Sequence, residues 1–241
     1  MNNTKVSICI AAYEMGGKGQ QYLHHSFIAI NEQTHDNIEV VVSDQSTDDN
    51  IKNLCKEWSD KLNINYIWFD GERKSSSNTN NAMKNATGDI IKILFMDDIL
   101  FVKDAIKFVV EAFEKEPDKT WLVSVCGHIY ESKKEIGDFM IPNYHDEIHK
   151  GRNTISSPSV MSIKNIPDLI YFDEKLIWLM DVEYYKRLYD KFGLPIIIES
   201  ATVLNRIHDN SVSSEMDSEE GQKVKDEELK YVIEKIEGVV T

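Results

Sequence analysis

Asn80-Asn81-Ala82-Met83-Lys84-Asn85-Ala86-Thr87-Gly88-Asp89-Ile90-Ile91-Lys92-Ile93-Leu94-Phe95-Met96-Asp97-Asp98 reads as a short helix, a turn, and an apolar strand over residues 90–96 that ends on two adjacent carboxylates. Carboxylates at the carboxyl end of a buried strand face the crevice beyond the sheet, where open α/β folds hold their ligands. Hard oxygen donors there suit Mg²⁺ or Mn²⁺ clamping a diphosphate. Taken with the N-terminal strand, Asp181 and His208, the pair points to nucleotide-sugar chemistry. The plainer alternative is that Asp97 and Asp98 only cap a loop.

Strand-like and helix-like segments alternate outward from this stretch, the pattern of a mixed sheet covered by helices. Residues 6–11 (VSICIA) form the first expected strand, 38–43 (IEVVVS) the second, 64–68 the third and 121–126 the fifth. Helical spacing appears at Leu23, Phe27, Ile28 and Ile30, then at Ile51, Leu54, Cys55 and Trp58, and again over 104–115. Residues 127–157 show no period and read as irregular structure near a site. Order resumes over 159–163, a helix over 181–192 and a strand over 195–199. Beyond residue 210 the chain turns polar and acidic, with Leu229, Val232, Ile233 and Ile236 at helical spacing, a candidate docking helix.

The chain has 241 residues, 41% of them hydrophobic, enough for one large domain with an appended tail. Its formal charge of −14 argues against nucleic acid or an anionic membrane surface as a partner. No run approaches the roughly 18 apolar residues of a membrane span. The expected location is therefore cytoplasmic, or peripheral to a membrane through a partner. Cys9, Cys55 and Cys126 are scattered, odd in number and lack CxxC spacing, so they read as buried thiols rather than a disulfide or zinc framework.

VSICIAAYE (6–14), VVSDQSTDD (41–49), NNAMKNATGDIIKILFMDD (80–98), FDEKLIWLMDVEYYKRL (172–188) and NRIHDNSVSS (205–214) follow one another in the order seen in family 2 glycosyltransferases of the GT-A fold. The likeness runs from about residue 6 to 214. It implies a Rossmann-like mixed central sheet flanked by helices, a GT-A domain over 1–210 and an acidic, helical tail over 211–241. The nucleotide-binding half is expected within about 1–100 and the acceptor half within about 101–210.

The resemblance also implies roles. Asp98 would be the direct ligand of a Mn²⁺ or Mg²⁺ ion and Asp97 its neighbour on ribose or sugar. The family's usual Asp-x-Asp-Asp has Phe95 in place of its first carboxylate here. Asp44 would accept a hydrogen bond from the base or ribose, with Ala11, Tyr13 and Asn80 also at the nucleotide. A turn aspartate is the alternative for Asp44. Ser43 and Gln45 depart from the family's acidic residue and glycine beside it. Asp181 would be the general base that deprotonates the acceptor, with Glu183 its rival, although Asp181 also suits a helix start. Met180 stands where the family often has an acidic residue. His208 would complete the metal sphere or contact the diphosphate, and Arg206 would bond a phosphate.

Glu14-Met15-Gly16-Gly17-Lys18-Gly19 matches neither a Walker A nor a Rossmann fingerprint and reads as a loop, with Lys18 near the phosphates. His145-Asp146-Glu147-Ile148-His149 has its glutamate one place late for H-E-x-x-H and reads as a loop over the acceptor site. Trp178, Trp121, Tyr130 and Tyr144 are either core or sugar-stacking residues. The expected activity is metal-dependent, inverting transfer from a nucleoside-diphosphate sugar, most simply a UDP-sugar, to a glycan or lipid-linked glycan acceptor. The competing readings are a sugar-nucleotide nucleotidyltransferase and a catalytically silent nucleotide- or glycan-binding module.

Overall fold

The strands at the centre are apolar on both faces, which is why helices cover them. β1 (Val6–Ala12) and β2 (Ile38–Asp44) are almost wholly buried, as parallel strands sandwiched between helical layers must be. The structure is a computed structural model that describes residues 4–131, 135–208, 211, 216 and 218–238. Between β1 and β2 runs α1 (Gly19–Asn31), followed by α2 (Asn50–Trp58), β3 (Ile64–Trp68), α3 (Ser75–Lys84) and β4 (Ile90–Ile93). Then come β5 (Ile99–Leu100), α4 (Ala105–Lys115), β6 (Trp121–Tyr130), β7 (Glu135–Met140), β8 (Met161–Lys164), α5 (Met180–Phe192), β9 (Ile196–Ile207) and α6 (Glu219–Glu237).

The sheet order is β3-β2-β1-β4-β8-β6-β9-β5, with β7 paired to β6 off this path. β3, β2, β1 and β4 are mutually parallel, β8 runs antiparallel between β4 and β6, and β9 is parallel to β6. The carboxyl ends of β1, β2, β4, β6 and β9 therefore lie along one edge of the sheet. That edge carries the cavity described below. This is the mixed GT-A architecture the sequence predicts.

Three expectations need correction. The fourth strand stops at Ile93 rather than Met96: Leu94 still donates to Cys9 O, but Phe95 N turns to Ser159 Oγ, so Asp97 and Asp98 sit in a tight turn before β5. Residues 127–157 are not irregular throughout, because β6 continues to Tyr130 and β7 pairs with it. β7 is largely exposed and has no apolar alternation, so only its cross-strand partner forms it. The last strand runs for 12 residues instead of five, since β6 pairs with it along its length.

Glu39 on β2 ties the sheet to the turn before β4. It pairs with Lys5 (2.5 Å), accepts from Thr87 N (2.6 Å) and Thr87 Oγ1 (2.7 Å), and accepts from Ser7 Oγ. A Cβ on Gly88 would come within 2.7 Å of Lys5 O and Ser7 Oγ, so only glycine lets this turn close. Burial pushes the Glu39 carboxyl up, but the bonds from Lys5, Ser7 and Thr87 outweigh it and hold it down at about 2. A depressed folded value contributes stability that is complete above the unfolded value near 4.5 and is lost as pH falls toward 2. Urea midpoints measured from pH 6 down to pH 2 should thus fall more steeply for the wild type than for Glu39→Gln; equal slopes would remove Glu39 from the acid response.

Candidate active site

The loops that follow β1, β2 and β4, together with the ends of β6 and β9 and the start of α5, enclose a cavity of about 720 Å³. Ala11, Tyr13, Glu14, Gln45, Asn78, Asp97, Asp98, Asn153, Ser157, Trp178, Asp181 and Arg206 reach its surface. Most of the expected residues are therefore brought together, but their contacts assign them differently.

The turn of Asp97 and Asp98 has one inner and one outer carboxylate. Asp98 is buried. Its Oδ2 accepts from Asn205 Nδ2 (2.8 Å) and Ser157 Oγ (3.4 Å), and its Oδ1 from Arg206 N (3.0 Å). Burial raises its carboxyl above the ordinary range, and the neighbouring Asp97 charge adds to the rise. Beneath it, burial lowers the Lys92 ammonium to about 7, with Nζ bonded to Ser159 O. Asp97, by contrast, is the carboxylate that meets His208: its Oδ2 lies 3.0 Å from His208 Nε2. The expected Asp98–His208 pair is thus replaced by Asp97–His208. The physical reason is that Asn205, Ser157 and the Arg206 backbone hold Asp98 inward, which leaves Asp97 to meet His208.

Arg206 lines the cavity, yet its guanidinium is already engaged. Nε donates to Asp97 O (2.9 Å), NH1 approaches Glu131 Oε1 (3.4 Å), and the group lies 4.8 Å from the Tyr22 ring centre. It holds the turn from behind. Lys18, expected near the phosphates, instead pairs with Glu131 (3.4 Å).

Two further expected nucleotide contacts lie outside the cavity lining. Asp44 is wholly buried, with Oδ1 accepting from Ser46 N (2.8 Å) and Ser46 Oγ (2.6 Å) and Oδ2 from Tyr66 OH (2.9 Å). It shapes the loop that presents Gln45. Asn80 exchanges bonds of 2.9 Å with the backbone of Phe172 and joins α3 to that segment. Its neighbour Asn78 does reach the cavity: Nδ2 holds Ala12 O (3.1 Å), while Oδ1 is buried with no partner among the described residues, as is Glu14 Oε2.

On α5, Asp181 faces the cavity and Glu183 does not. Two steps along a helix turn a side chain by about 200°, which sends Glu183 to the far side. There it is fully buried between Arg187 Nε (2.5 Å) and Lys235 Nζ (2.7 Å). Glu183 is accordingly a structural ion-pair residue and not the rival base. Asp181 Oδ2 accepts from Asn153 Nδ2 (2.6 Å) and Oδ1 from Val182 N (2.7 Å). Burial, only partly opposed by these bonds, raises its carboxyl to about 7.

Asn153 was not legible in the sequence. Its Oδ1 also accepts from Ile155 N and Ser156 N, both at 2.9 Å, holding Ser156 at a φ of 97°. The cations Arg73 and Lys74, which line the cavity ahead of α3, were also missed, although their place before the serine cluster at 75–77 was a usable signal. Trp121 stacks on Tyr185 and Tyr144 on Tyr189 within the body, while Tyr130 bonds Asp138 on the exposed β6–β7 pair. His149 bonds Glu237 Oε1 (3.1 Å) and His145 bonds Arg152 O (3.1 Å), so each is engaged with a different partner. All three cysteines are buried and free, as predicted. Asp209, Asn210 and residues 212–214, the end of the motif after His208, lie outside the described residues.

The family resemblance implies a divalent cation, expected at Asp98 and His208, and of the two turn carboxylates it is Asp97 that meets His208. Among the described residues no group of three or more His, Cys, Asp or Glu side chains could hold a metal. That fits an ion that arrives with its ligand, since Mg²⁺ in phosphate sites takes one or two protein ligands and draws the rest from phosphates and water. One carboxylate and one imidazole also suit Mn²⁺. Among the described residues no helix is long and apolar enough to cross a membrane.

The sequence model of glycosyl transferase family 2 matches residues 7–209. An uncharacterized glycosyltransferase of Bacillus subtilis (strain 168), YfnE, is 27% identical over 147 residues, 61% of this chain and 34% of that protein. The chain thus spans about a third of this curated relative. Among solved structures, S. aureus TarS 1–349 in complex with UDP-GlcNAc superposes with a TM-score of 0.70 at 16% identity, covering 95% of this chain and 71% of that one. The mannosyltransferase PcManGT from Pyrobaculum calidifontis, in complex with GDP-Man and Mn²⁺, gives 0.63 at 15% identity, covering 85% and 57%. At these identities the likeness shows the GT-A fold.

Proposed function

The chain belongs to glycosyl transferase family 2, and from that premise we propose that it moves a sugar from a nucleoside-diphosphate sugar, most simply a UDP-sugar, to a hydroxyl of a glycan or lipid-linked glycan, with inversion. The observation that carries the reading is one cavity lined by both Asp97, backed by the buried His208, and a second carboxylate, Asp181, raised to about 7. A general base works best with a value near the operating pH.

In this reading the donor half is residues 1–100 and the acceptor half 101–210. The nucleoside lies beside Ala11, Tyr13, Glu14 and Asn78. The unpartnered acceptors Glu14 Oε2 and Asn78 Oδ1 suit base N–H or ribose O–H donors. Arg73 and Lys74 supply positive charge for the diphosphate. Asp97 and His208 are the residues that would hold a cation, which when bound would neutralise charge developing on the departing diphosphate. Asp181 takes the proton from the acceptor hydroxyl as its oxygen bonds to the sugar C1. The C1–O bond to the diphosphate breaks, its electron pair leaves with the nucleotide, and attack from the opposite face inverts C1. The UDP-GlcNAc complex of TarS and the Mn²⁺ in PcManGT support the choice of donor and ion.

The direct test is nucleotide release from UDP-, GDP-, dTDP- and CMP-sugars in Mn²⁺, Mg²⁺ or EDTA. Release from one UDP-sugar, abolished by EDTA, is the expected result. Binding without release would move the chain to a silent nucleotide-binding module, and absence of both for every donor would remove the sugar-donor reading.

A further inference from the structure

The acidic tail is not an appendage. α6 begins ten residues beyond the family match and docks on the body through Val232, which is fully buried. Its most unusual contact is Glu228. This carboxylate is nearly buried and accepts three backbone N–H bonds in a row: Oε1 from Ile177 (2.7 Å), and Oε2 from Trp178 (2.9 Å) and Leu179 (2.8 Å). Leu179 is the residue that caps the start of α5, and no side chain of the α5 segment caps it. Successive N–H groups ahead of a helix form an anion-holding nest, and here the anion comes from 49 to 51 residues away. Lys225 of the same helix lies 4.6 Å from the centre of the Trp178 ring.

Ile177, Trp178 and Leu179 line the cavity, and Asp181 follows them by half a turn of α5. Other α6 contacts hold the helix elsewhere: Tyr231 OH and Lys235 Nζ bond Asp173, and Lys235 also bonds Glu183. We propose that Glu228 is a positioning residue for sugar transfer, fixing the backbone of Ile177, Trp178 and Leu179 and through it the placement of Trp178 and Asp181. This rests on Asp181 being the base. The titratable groups whose charges bear on Asp181 are Glu228 from α6 and Tyr185 from α5, with Asn153 the neutral donor bonded to it. The Glu228 charge adds to burial in raising Asp181, so the same residue both places and tunes it.

The experiment compares Glu228→Ala, Glu228→Gln, Lys235→Ala and Asp181→Asn in the full chain. Hydrolysis of the donor that the wild type turns over is followed with Mn²⁺, UDP-GlcNAc being the first probe, alongside amide exchange across residues 177–179. In hydrolysis water replaces the acceptor hydroxyl, Asp181 takes its proton, and free sugar and nucleotide result. A misplacement of about 1 Å costs on the order of 10²-fold in rate. Glu228→Ala is therefore expected to lower kcat by about that factor, leave donor KM within about twofold, and speed exchange at 177–179 by at least about tenfold. Lys235→Ala, which loosens α6 without touching the nest, should keep kcat. Should Glu228→Ala fail to fold, Glu228→Gln decides, since its single acceptor oxygen holds at most two of the three N–H groups. A folded Glu228 variant with wild-type kcat or unchanged exchange, or one no worse than Lys235→Ala, overturns the proposal. An active Asp181→Asn would instead remove the base assignment and the proposal with it, whereas an inactive Asp181→Asn beside an active Glu228→Ala overturns the positioning role alone.

Discussion

Asp181→Asn is expected to lower sugar transfer by about 10²–10⁴-fold, the usual contribution of a general base, while donor affinity stays within about twofold. Its side chain keeps the shape and the bond from Asn153 but can no longer accept a proton. The wild-type rate should rise with pH and level off above about 7, because only the ionised carboxylate is a base and burial holds it protonated below that. The stability consequence has the opposite sign. A folded value above the ordinary carboxylate range contributes stability that is complete below about 4 and is lost as pH climbs through about 7. The variant escapes that loss, so its melting temperature should gain on the wild type between pH 5 and pH 8. An inactive protein that is more stable at pH 8 is the pattern of a strained functional group. Wild-type transfer rates in Asp181→Asn would end the assignment, and a melting difference that is flat with pH would end its electrostatic basis.

The two carboxylates of the β4–β5 turn should separate cleanly. Asp97→Ala is expected to lose turnover by about 10²–10³-fold and most of its response to Mn²⁺, since removing one stabilising group at a developing charge costs about that much. Its stability should fall less than that of Asp98→Ala, because Asp97 gives up one side-chain bond, to the buried His208, where Asp98 gives up three. Asp98→Ala removes the acceptor for Asn205 Nδ2, Arg206 N and Ser157 Oγ. Stranding buried donors costs about 1–3 kcal/mol each, and Asn205 Nδ2 and Arg206 N are the two close ones, so a loss on the order of 2–6 kcal/mol is expected. Thermal melts together with a Mn²⁺ titration of turnover check both arms. The reverse outcome, a stable Asp98→Ala that no longer responds to metal, would return the ligand role to Asp98.

Arg206 and Asp44 show how a motif can be correct in place and different in use. Both residues were legible because charged groups at strand ends mark a ligand crevice. Nothing local told that Tyr66, 22 residues away, would occupy Asp44, or that Asp97 O and Glu131 would occupy Arg206. Asn80 and Asn78 differ by two positions on one helix, and only contacts with Phe172 and Ala12 decide which of them faces the cavity.

The order of elements and the parallel first half follow from the sequence alone, and the family resemblance added Asp97, Asp181 and His208 as site candidates. They rest on period, strand-end polarity and motif order, which are properties of neighbouring residues. Tertiary structure alone decided that Asp98 points inward while Asp97 meets His208, that Glu183 belongs to an ion-pair cluster, and that Glu228 reaches the start of α5. Each of those depends on which donors and acceptors are brought within about 3 Å across 49 to 111 residues of chain. Such pairing is fixed by the sheet order and by where α6 docks, and no local pattern records it.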